Sequence, residues 1–418
     1  MKFKYSVILL CLSNLLLVLR VAIVLNTSWN IYNFRMGLIK ALLKMGHEVI
    51  AIAPTDQYTD RIKEVGCKFE NLTMDSRGVN PIKDIALFFE LRRLYKKTNP
   101  DIILHFTIKP NIYGTLAAHF LKIPVINNVS GLGTVFLWDT LATKFAVWMY
   151  KVAFTKANHV FFQNADDQTH FINRVGIKNM KSTVIPGSGV DVDRFSPNGI
   201  KPSGQFTFLV IARLLIDKGI KEYIEAIRIL KEANIDANFQ LLGAIDPKHK
   251  RGISKDQLQE WIDQGFVNYL GQSDDVSTYI AKANCIVLPS YREGTPRTLL
   301  EGGSMAKPLL ASAVPGCKGV VLDGKNGFLF KVRDPKDLAA NMKKMLRLTS
   351  NDRIEMGEMS RKHIVSQYNE SIIVDHYIKV IKEVLPAFKP ISLEREGRLE
   401  NGPHQLSNTP LEAAQTVA

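Results

Sequence analysis

Short apolar runs of β character alternate with amphipathic helical stretches along most of this chain, and that alternation constrains the fold more than any other feature. In the first half the runs are RVAIVLN, EVIAIAP, CKFENLT, DIILHF, PVINNV, HVFFQN and STVIPG. Between them lie helical patterns such as IKDIALFFELRRLYKKT and IYGTLAAHFLK. Strands that read as continuous apolar runs are buried on both faces, so the pattern predicts parallel sheets covered by helices on each side. The rhythm breaks at PGSGVDVDRFSPNGIKPSGQ, Pro186 to Gln205, whose Gly, Pro, Ser and Asp read as an interdomain connection. A second series follows: FTFLVIAR, ANFQLLGA, FVNYLG, ANCIVLPS, KPLLAS and GFLF, with helices KEYIEAIRILKEA and PKDLAANMKKMLRL. The expectation is two doubly wound α/β domains, residues 20–196 and 197–388, with a cleft between them. The polar, aperiodic stretch 389–418 is expected to be a disordered tail.

Composition narrows the partners. Lys and Arg total 54 against 40 Asp and Glu, a net charge of +14. Nucleic acid, an anionic membrane surface or phosphorylated small molecules would each suit that excess. There is no zinc-finger spacing, RNP-like aromatic run or basic heptad region, which argues against nucleic acid. Cys11, Cys67, Cys285 and Cys317 are far apart and form no CxxC pair, so neither a disulfide framework nor a zinc site is expected, and a reducing cytosol suits them. At the N-terminus Lys2 and Lys4 precede an apolar run that reads as a signal peptide, a membrane span or a leader. If Arg20 to Asn26 is the first strand, Tyr5 to Leu19 falls short of the roughly 20 residues a span needs. No small-x-small cleavage site follows. Residues 1–19 are therefore expected to be an interfacial anchor or the product of an over-called start codon. A second membrane candidate is WDTLATKFAVWMYKVAFTKANH, where aromatics interleave with Lys144, Lys151 and Lys156; a core helix with a basic edge explains it equally well.

Several features look chemical. Asp191-Val192-Asp193 resembles a metal-binding Asp-x-Asp, but it lies in the connector, where an Asx-rich turn explains it, and no metal is expected. Neither a G-x-G-x-x-G after the first strand nor a P-loop is present. His105 ends a strand, the position where α/β sites form, although a lone histidine is more often structural. Stronger is FTFLVIARLLIDKGIKEYIEA, a strand followed by Arg213 and by Lys218-Gly219 at a helix start. Two cations beside a helix N-terminus suit an anion; a solvated basic pair explains them equally. Strongest is PSYREGTPRTLLEGGSMAKP, where Glu293 and Glu301 bracket a helix start. Thr295 is expected to cap that helix with Pro296 in its first turn. Glu293 would lie at the mouth and Glu301 about a turn and a half inside, so both could touch one elongated ligand. Pairing of Glu301 with Arg297 is the competing reading.

These residues resemble the Glu-x7-Glu motif of the family 4 glycosyltransferases, retaining enzymes of the GT-B fold. The resemblance runs from about Arg20 to Leu385 and includes ARLLIDKG, GVDVDRF, GQSDDVSTYIAKANCIVLPS and PGCKGVVLDGKNGFLF. NTSWNIYNFRMGLI, HFTIKPNIYG and NVSGLGTVF are similar to a bacterial subgroup that extends undecaprenyl-diphosphate-linked saccharides. The resemblance implies two Rossmann-like domains and transfer from a nucleotide-sugar, UDP rather than GDP and an N-acetylhexosamine by preference, with no metal. It implies Arg213 and Lys218 on the donor diphosphate, Glu301 on the ribose and Glu293 facing the sugar. Gly294, Thr295, Thr298 and Leu299 would lie beside them, and Leu270 to Gln272 would cradle the base. Asn26, Trp29, Asn30, His105, Lys109, Asn111 and Ser130 would form the acceptor side. The partners implied are a lipid-diphosphate saccharide and an anionic membrane surface, at the cytoplasmic face of the bacterial inner membrane. Departures from the family pattern are Gly302-Gly303 after the second acid, Thr27-Ser28-Trp29 in place of a Gly-Gly, and no histidine in NNVSGLG. Two rivals are a nucleotide-sugar 2-epimerase of the same fold and a silent nucleotide-sugar-binding subunit.

Overall fold

The computed structural model describes residues 18–390, apart from 76–79, 133–140, 198, 201, 203, 247–248 and 250. The leader and the tail therefore lie almost wholly outside the described residues. Among the described residues thirteen strands form two parallel sheets. The first contains β1 (Arg20–Val24), β2 (Glu48–Ala53), β3 (Lys68–Asn71), β4 (Ile102–Phe106), β5 (Val125–Val129), β6 (His159–Phe162) and β7 (Ser182–Val184). Its order is β3-β2-β1-β4-β5-β6-β7. The second contains β8 (Thr207–Ile211), β9 (Asn238–Leu242), β10 (Asn268–Tyr269), β11 (Cys285–Leu288), β12 (Leu309–Ser312) and β13 (Gly327–Phe330). Its order is β10-β9-β8-β11-β12-β13.

Both sheets are doubly wound, as the alternation predicts. Side chains in a strand point alternately to opposite faces. Val21 and Ile23 of β1 accordingly join one apolar cluster, while Ala22 and Val24 join the cluster on the other face. In β8 Phe208 and Val210 join one cluster and Leu209 the other. The order reverses between β1 and β4 and between β8 and β11, so ligand crevices should open at the C-terminal ends of those four strands. Leu19, one residue before β1, is already in the core, 2% exposed.

The domain boundaries differ from those drawn on the sequence. Val190, Val192 and Phe195 pack with Leu299 and Ile364 in the second domain's core. Conversely, the helix Glu370–Val384, the last among the described residues and read with the second domain, returns to the first, where Ile373, Tyr377 and Ile381 pack with Ile23 and Leu104. The two crossings between domains are bonded to each other: Val190 N donates to Tyr368 O and Glu370 N to Val190 O, each at 2.9 Å. Gly189, at φ 72°, allows that approach, since a Cβ there would collide with Glu370 backbone. Among the described residues no helix is long and apolar enough to cross a membrane. The described cysteines Cys67, Cys285 and Cys317 are buried and free.

Candidate active site

The loops after β8 and β11 are neighbours because their strands pair. After β8 the chain passes Arg213 and enters a short 3-10 turn, Ile216–Lys218. Gly219 closes it at φ 71°, where any Cβ would strike the Pro289 carbonyl. That close approach presses Lys218 onto the loop after β11: Lys218 Nζ lies 2.5 Å from Glu293 Oε1. The same two loops are tied by Tyr291 N donating to Asp217 O at 2.9 Å.

The helix after Glu293 spans Arg297–Ser304. Its N-cap is Pro296, in extended conformation, with no side-chain cap. Thr295 therefore does not cap the helix; its hydroxyl donates across the cleft to Gln163 O at 3.3 Å. Thr298 Oγ1 donates to Ile211 O at 3.0 Å, tying the helix to the end of β8. Glu301 pairs with Arg297, Nε to Oε1 3.0 Å, and still faces the cleft. Pairing and cleft-lining, read from the sequence as rivals, thus hold together. Burial pushes the Glu301 carboxyl above its ordinary range, and Arg297 opposes that shift. Arg297 also donates to Asn33 O of the first domain at 2.8 Å.

Two cavities open between the domains. One, about 890 Å³, is lined by Trp29, Asn30, Gln272, Arg297, Thr298 and Glu301. The other, about 990 Å³, is lined by Lys109, Asn111, Ser130, Tyr291, Arg292 and Gly294. Asn26, Arg213, Lys218 and Glu293 line both. The cavities therefore meet at the three residues expected to be catalytic, with Asn26 opposite, its Oδ1 held by Asn30 Nδ2 at 2.8 Å.

Other predicted residues are placed differently. Trp29 and Asn30, assigned to the acceptor side, line the cavity that holds Glu301. Leu270 packs on the second core and Leu299 is fully buried in it, and neither lines either of these two cavities. His105 does not reach the cleft. It is fully buried, bonded to Tyr95 Oη at 2.8 Å and Asn127 Oδ1 at 3.1 Å, and burial holds its pKa down to about 3. The side chain points between sheet and helix, so the lone histidine is structural. Lys109 and Ser130 do line the second cavity; Lys109 pairs with Asp84 at 2.8 Å, and Ser130 Oγ donates to Asn128 Oδ1 at 3.0 Å. Asp191 Oδ1 accepts from Asp193 N at 3.2 Å and Arg194 N at 2.9 Å, the Asx turn expected of the connector.

Sequence reasoning missed the contacts that join the domains here. Arg292, beside Glu293, pairs with Asp167 at 2.7 Å, and Asn164 Nδ2 donates to Gly294 O at 3.3 Å. Asn164 also caps the helix Ala165–Val175 that carries Asp167. That cap was legible in NADDQ; its partner on the other domain was not.

The Glycosyl transferase 4-like family model matches residues 20–164, and the Glycosyl transferases group 1 model matches residues 191–363. The chain is a glycosyltransferase. It has the GT-B fold, two such domains facing one cleft. This glycosyltransferase is 29% identical over 384 residues to the N,N'-diacetylbacillosaminyl-diphospho-undecaprenol alpha-1,3-N-acetylgalactosaminyltransferase of Campylobacter jejuni, covering 88% of this chain and 99% of that one. It is 25% identical over 312 residues to the UDP-Gal:alpha-D-GlcNAc-diphosphoundecaprenol alpha-1,3-galactosyltransferase of Escherichia coli, covering 70% of this chain and 78% of that one. In fold it is similar to sucrose-phosphate synthase from Thermosynechococcus elongatus, with TM-score 0.74, 18% identity and 88% and 100% of the two chains covered. It is similar also to Anabaena HepE in complex with UDP-glucose, with TM-score 0.72, 16% identity and 87% and 100% covered.

Proposed function

We propose that this glycosyltransferase moves a sugar, an N-acetylhexosamine by preference, from a UDP-sugar to a lipid-diphosphate-linked saccharide, with retention and without a metal. The observation that carries this reading is the meeting of two cavities at Asn26, Arg213, Lys218 and Glu293. Donor and acceptor then enter from opposite sides and react where the cavities join. The two relatives, which by their names act on diphospho-undecaprenol saccharides, support the substrate classes.

In this reading Glu301 accepts the ribose hydroxyls and Gln272 lies towards the base. Arg213 and Lys218 neutralise the charge that grows on the diphosphate as the bond from the sugar's anomeric carbon to phosphate oxygen breaks. The amides at the start of Arg297–Ser304 add a partial positive charge. Glu293 orients the donor sugar and stabilises positive charge on its ring. The acceptor hydroxyl attacks from the side the diphosphate leaves, and its proton passes to a departing phosphate oxygen. Contacts across the cleft, Arg292 to Asp167 and Thr295 to Gln163, limit the entry of water.

A membrane location at the cytoplasmic face of the bacterial inner membrane fits this acceptor. Phe145 and Trp148 of the helix Leu141–Phe154 are exposed and in ring contact at 5.9 Å. Ile82, Ile85 and Phe89 form a second exposed apolar stripe, on the helix Pro81–Thr98. Liposome flotation of the Trp148→Ala and Phe89→Ala variants should show weaker binding to anionic vesicles.

The deciding experiment is a nucleotide-sugar panel against lipid-diphosphate acceptors, in chelator. Glu293→Gln and Lys218→Ala should each lower turnover by at least about 100-fold while the protein stays folded. Wild-type rates in both variants would overturn the assignment. Donor isomerisation without acceptor, or donor binding without any turnover, would instead point to an epimerase or a silent subunit.

A further inference from the structure

The segment after β4 departs from ordinary backbone twice. Thr107 has φ 69°, a region β-branched residues rarely occupy. Pro110–Gly114 then forms a π-helical turn, a form that recurs at functional sites. The layer beneath holds this shape. Thr115 Oγ1 donates to Asn111 O at 2.6 Å, and Asn127 Nδ2 donates to the same carbonyl at 3.4 Å. Tyr95 and His105 fill the space against Gly114, where an added Cβ would collide with both.

The segment from Thr107 to Asn111 carries two unpaired polar atoms. Among the described residues Thr107 Oγ1 and Asn111 Oδ1 are buried without a hydrogen-bond partner, and both residues line the 990 Å³ cavity. Asn111 is 2% exposed, and its Nδ2 donates to Asn128 O at 2.8 Å, which leaves Oδ1 as a fixed acceptor. The Thr107 hydroxyl is able to donate. Buried polar atoms left unpaired are costly, and backbone strain that persists in a well-packed setting points to use. Met74, Ile108, Val129 and Leu132 add an apolar lining to the same cavity. An acceptor, a donor and an apolar wall match the N–H, carbonyl and methyl of an acetamido group, whereas a hydroxyl meets only part of that set.

We propose that Thr107 and Asn111 seat an acetamido group of the acceptor saccharide and so select N-acetylated acceptors. This rests on the reading of the 990 Å³ cavity as the acceptor side. The test is transfer by the full chain from a UDP-N-acetylhexosamine to two lipid-diphosphate acceptors whose terminal sugars differ only in acetamido against hydroxyl. The wild type should favour the acetamido acceptor in kcat/KM by at least about tenfold. Thr107→Val, which keeps the side-chain shape, and Asn111→Ala should each erase most of that preference through acceptor KM. Equal use of both acceptors by the wild type, or an equal loss on both in the variants, would overturn the proposal and leave the transferase reading standing. If Asn111→Ala does not fold, Thr107→Val decides alone. Wild-type transfer to neither acceptor would overturn the transferase reading and this proposal together.

Discussion

Lys218 and Glu293 touch at 2.5 Å, and both are largely withdrawn from solvent. An ion pair in that setting is sensitive to the loss of either partner, since the survivor is left as a partly buried charge. Glu301 has a different character. Its carboxyl is raised above 4.5 by burial, so it takes up a proton on acidification before an ordinary surface acid does. If its carboxylate holds the ribose, donor KM should rise as pH falls towards 4.5 and begin to rise above that value; in Glu301→Gln this acid limb should disappear. His105 offers a contrast. His105→Ala should cost about 2–4 kcal/mol in urea denaturation, by leaving a cavity and unpaired Tyr95 and Asn127. Its pKa is lowered from 6.5 to about 3, so the stability it confers is present above 6.5 and lost as pH falls towards 3. The deficit of His105→Ala should shrink over that window.

At the level of the element, the helix Arg297–Ser304 decides most. Gly302 and Gly303 look like weaknesses, since glycine costs a helix about 1 kcal/mol relative to alanine. Packing reverses the sign. A Cβ at Gly302 would come within 2.6 Å of Ile286 Cγ1, and one at Gly303 within 2.8 Å of Ile364 Cγ1. Gly302→Ala and Gly303→Ala should therefore destabilise by about 1–3 kcal/mol rather than stabilise, measured by thermal or urea unfolding. The strands and their alternation were legible because a parallel strand buried on both faces writes itself as an apolar run. Arg213, Lys218, Glu293 and Glu301 were picked out by the family motifs they stand in, since their charges and spacing alone fitted solvated or paired side chains equally well. The role of Thr295 was not legible. A threonine before a proline and a helix looks like a cap, and only the second domain's position against Gln163 turns it outward. Thr107 gave no signal either, because a positive φ is a property of the folded backbone.

At the scale of the whole molecule, the domains are joined by two crossings at one hinge and by contacts across the cleft mouth. Arg292 to Asp167 lies beside Glu293, so closure and placement of that acid are linked. Arg292→Ala should lower the ratio of sugar transfer to donor hydrolysis, by about three- to tenfold, as water enters a looser cleft. An unaltered ratio would mean that the pair does not govern closure. The return of Glu370–Val384 to the first domain escaped sequence reading, because its apolar stripe would fit either domain. Donor and acceptor are expected to meet at Glu293 and Lys218, where the two cavities join. The most direct test is transfer from a UDP-N-acetylhexosamine to a lipid-diphosphate saccharide by wild type and Glu293→Gln, with the new linkage read by NMR. An α-linked product from an α-linked donor is expected, with a loss of kcat of at least about 100-fold in the variant while UDP binding persists. A β-linked product, or wild-type kcat in Glu293→Gln, would contradict this expectation.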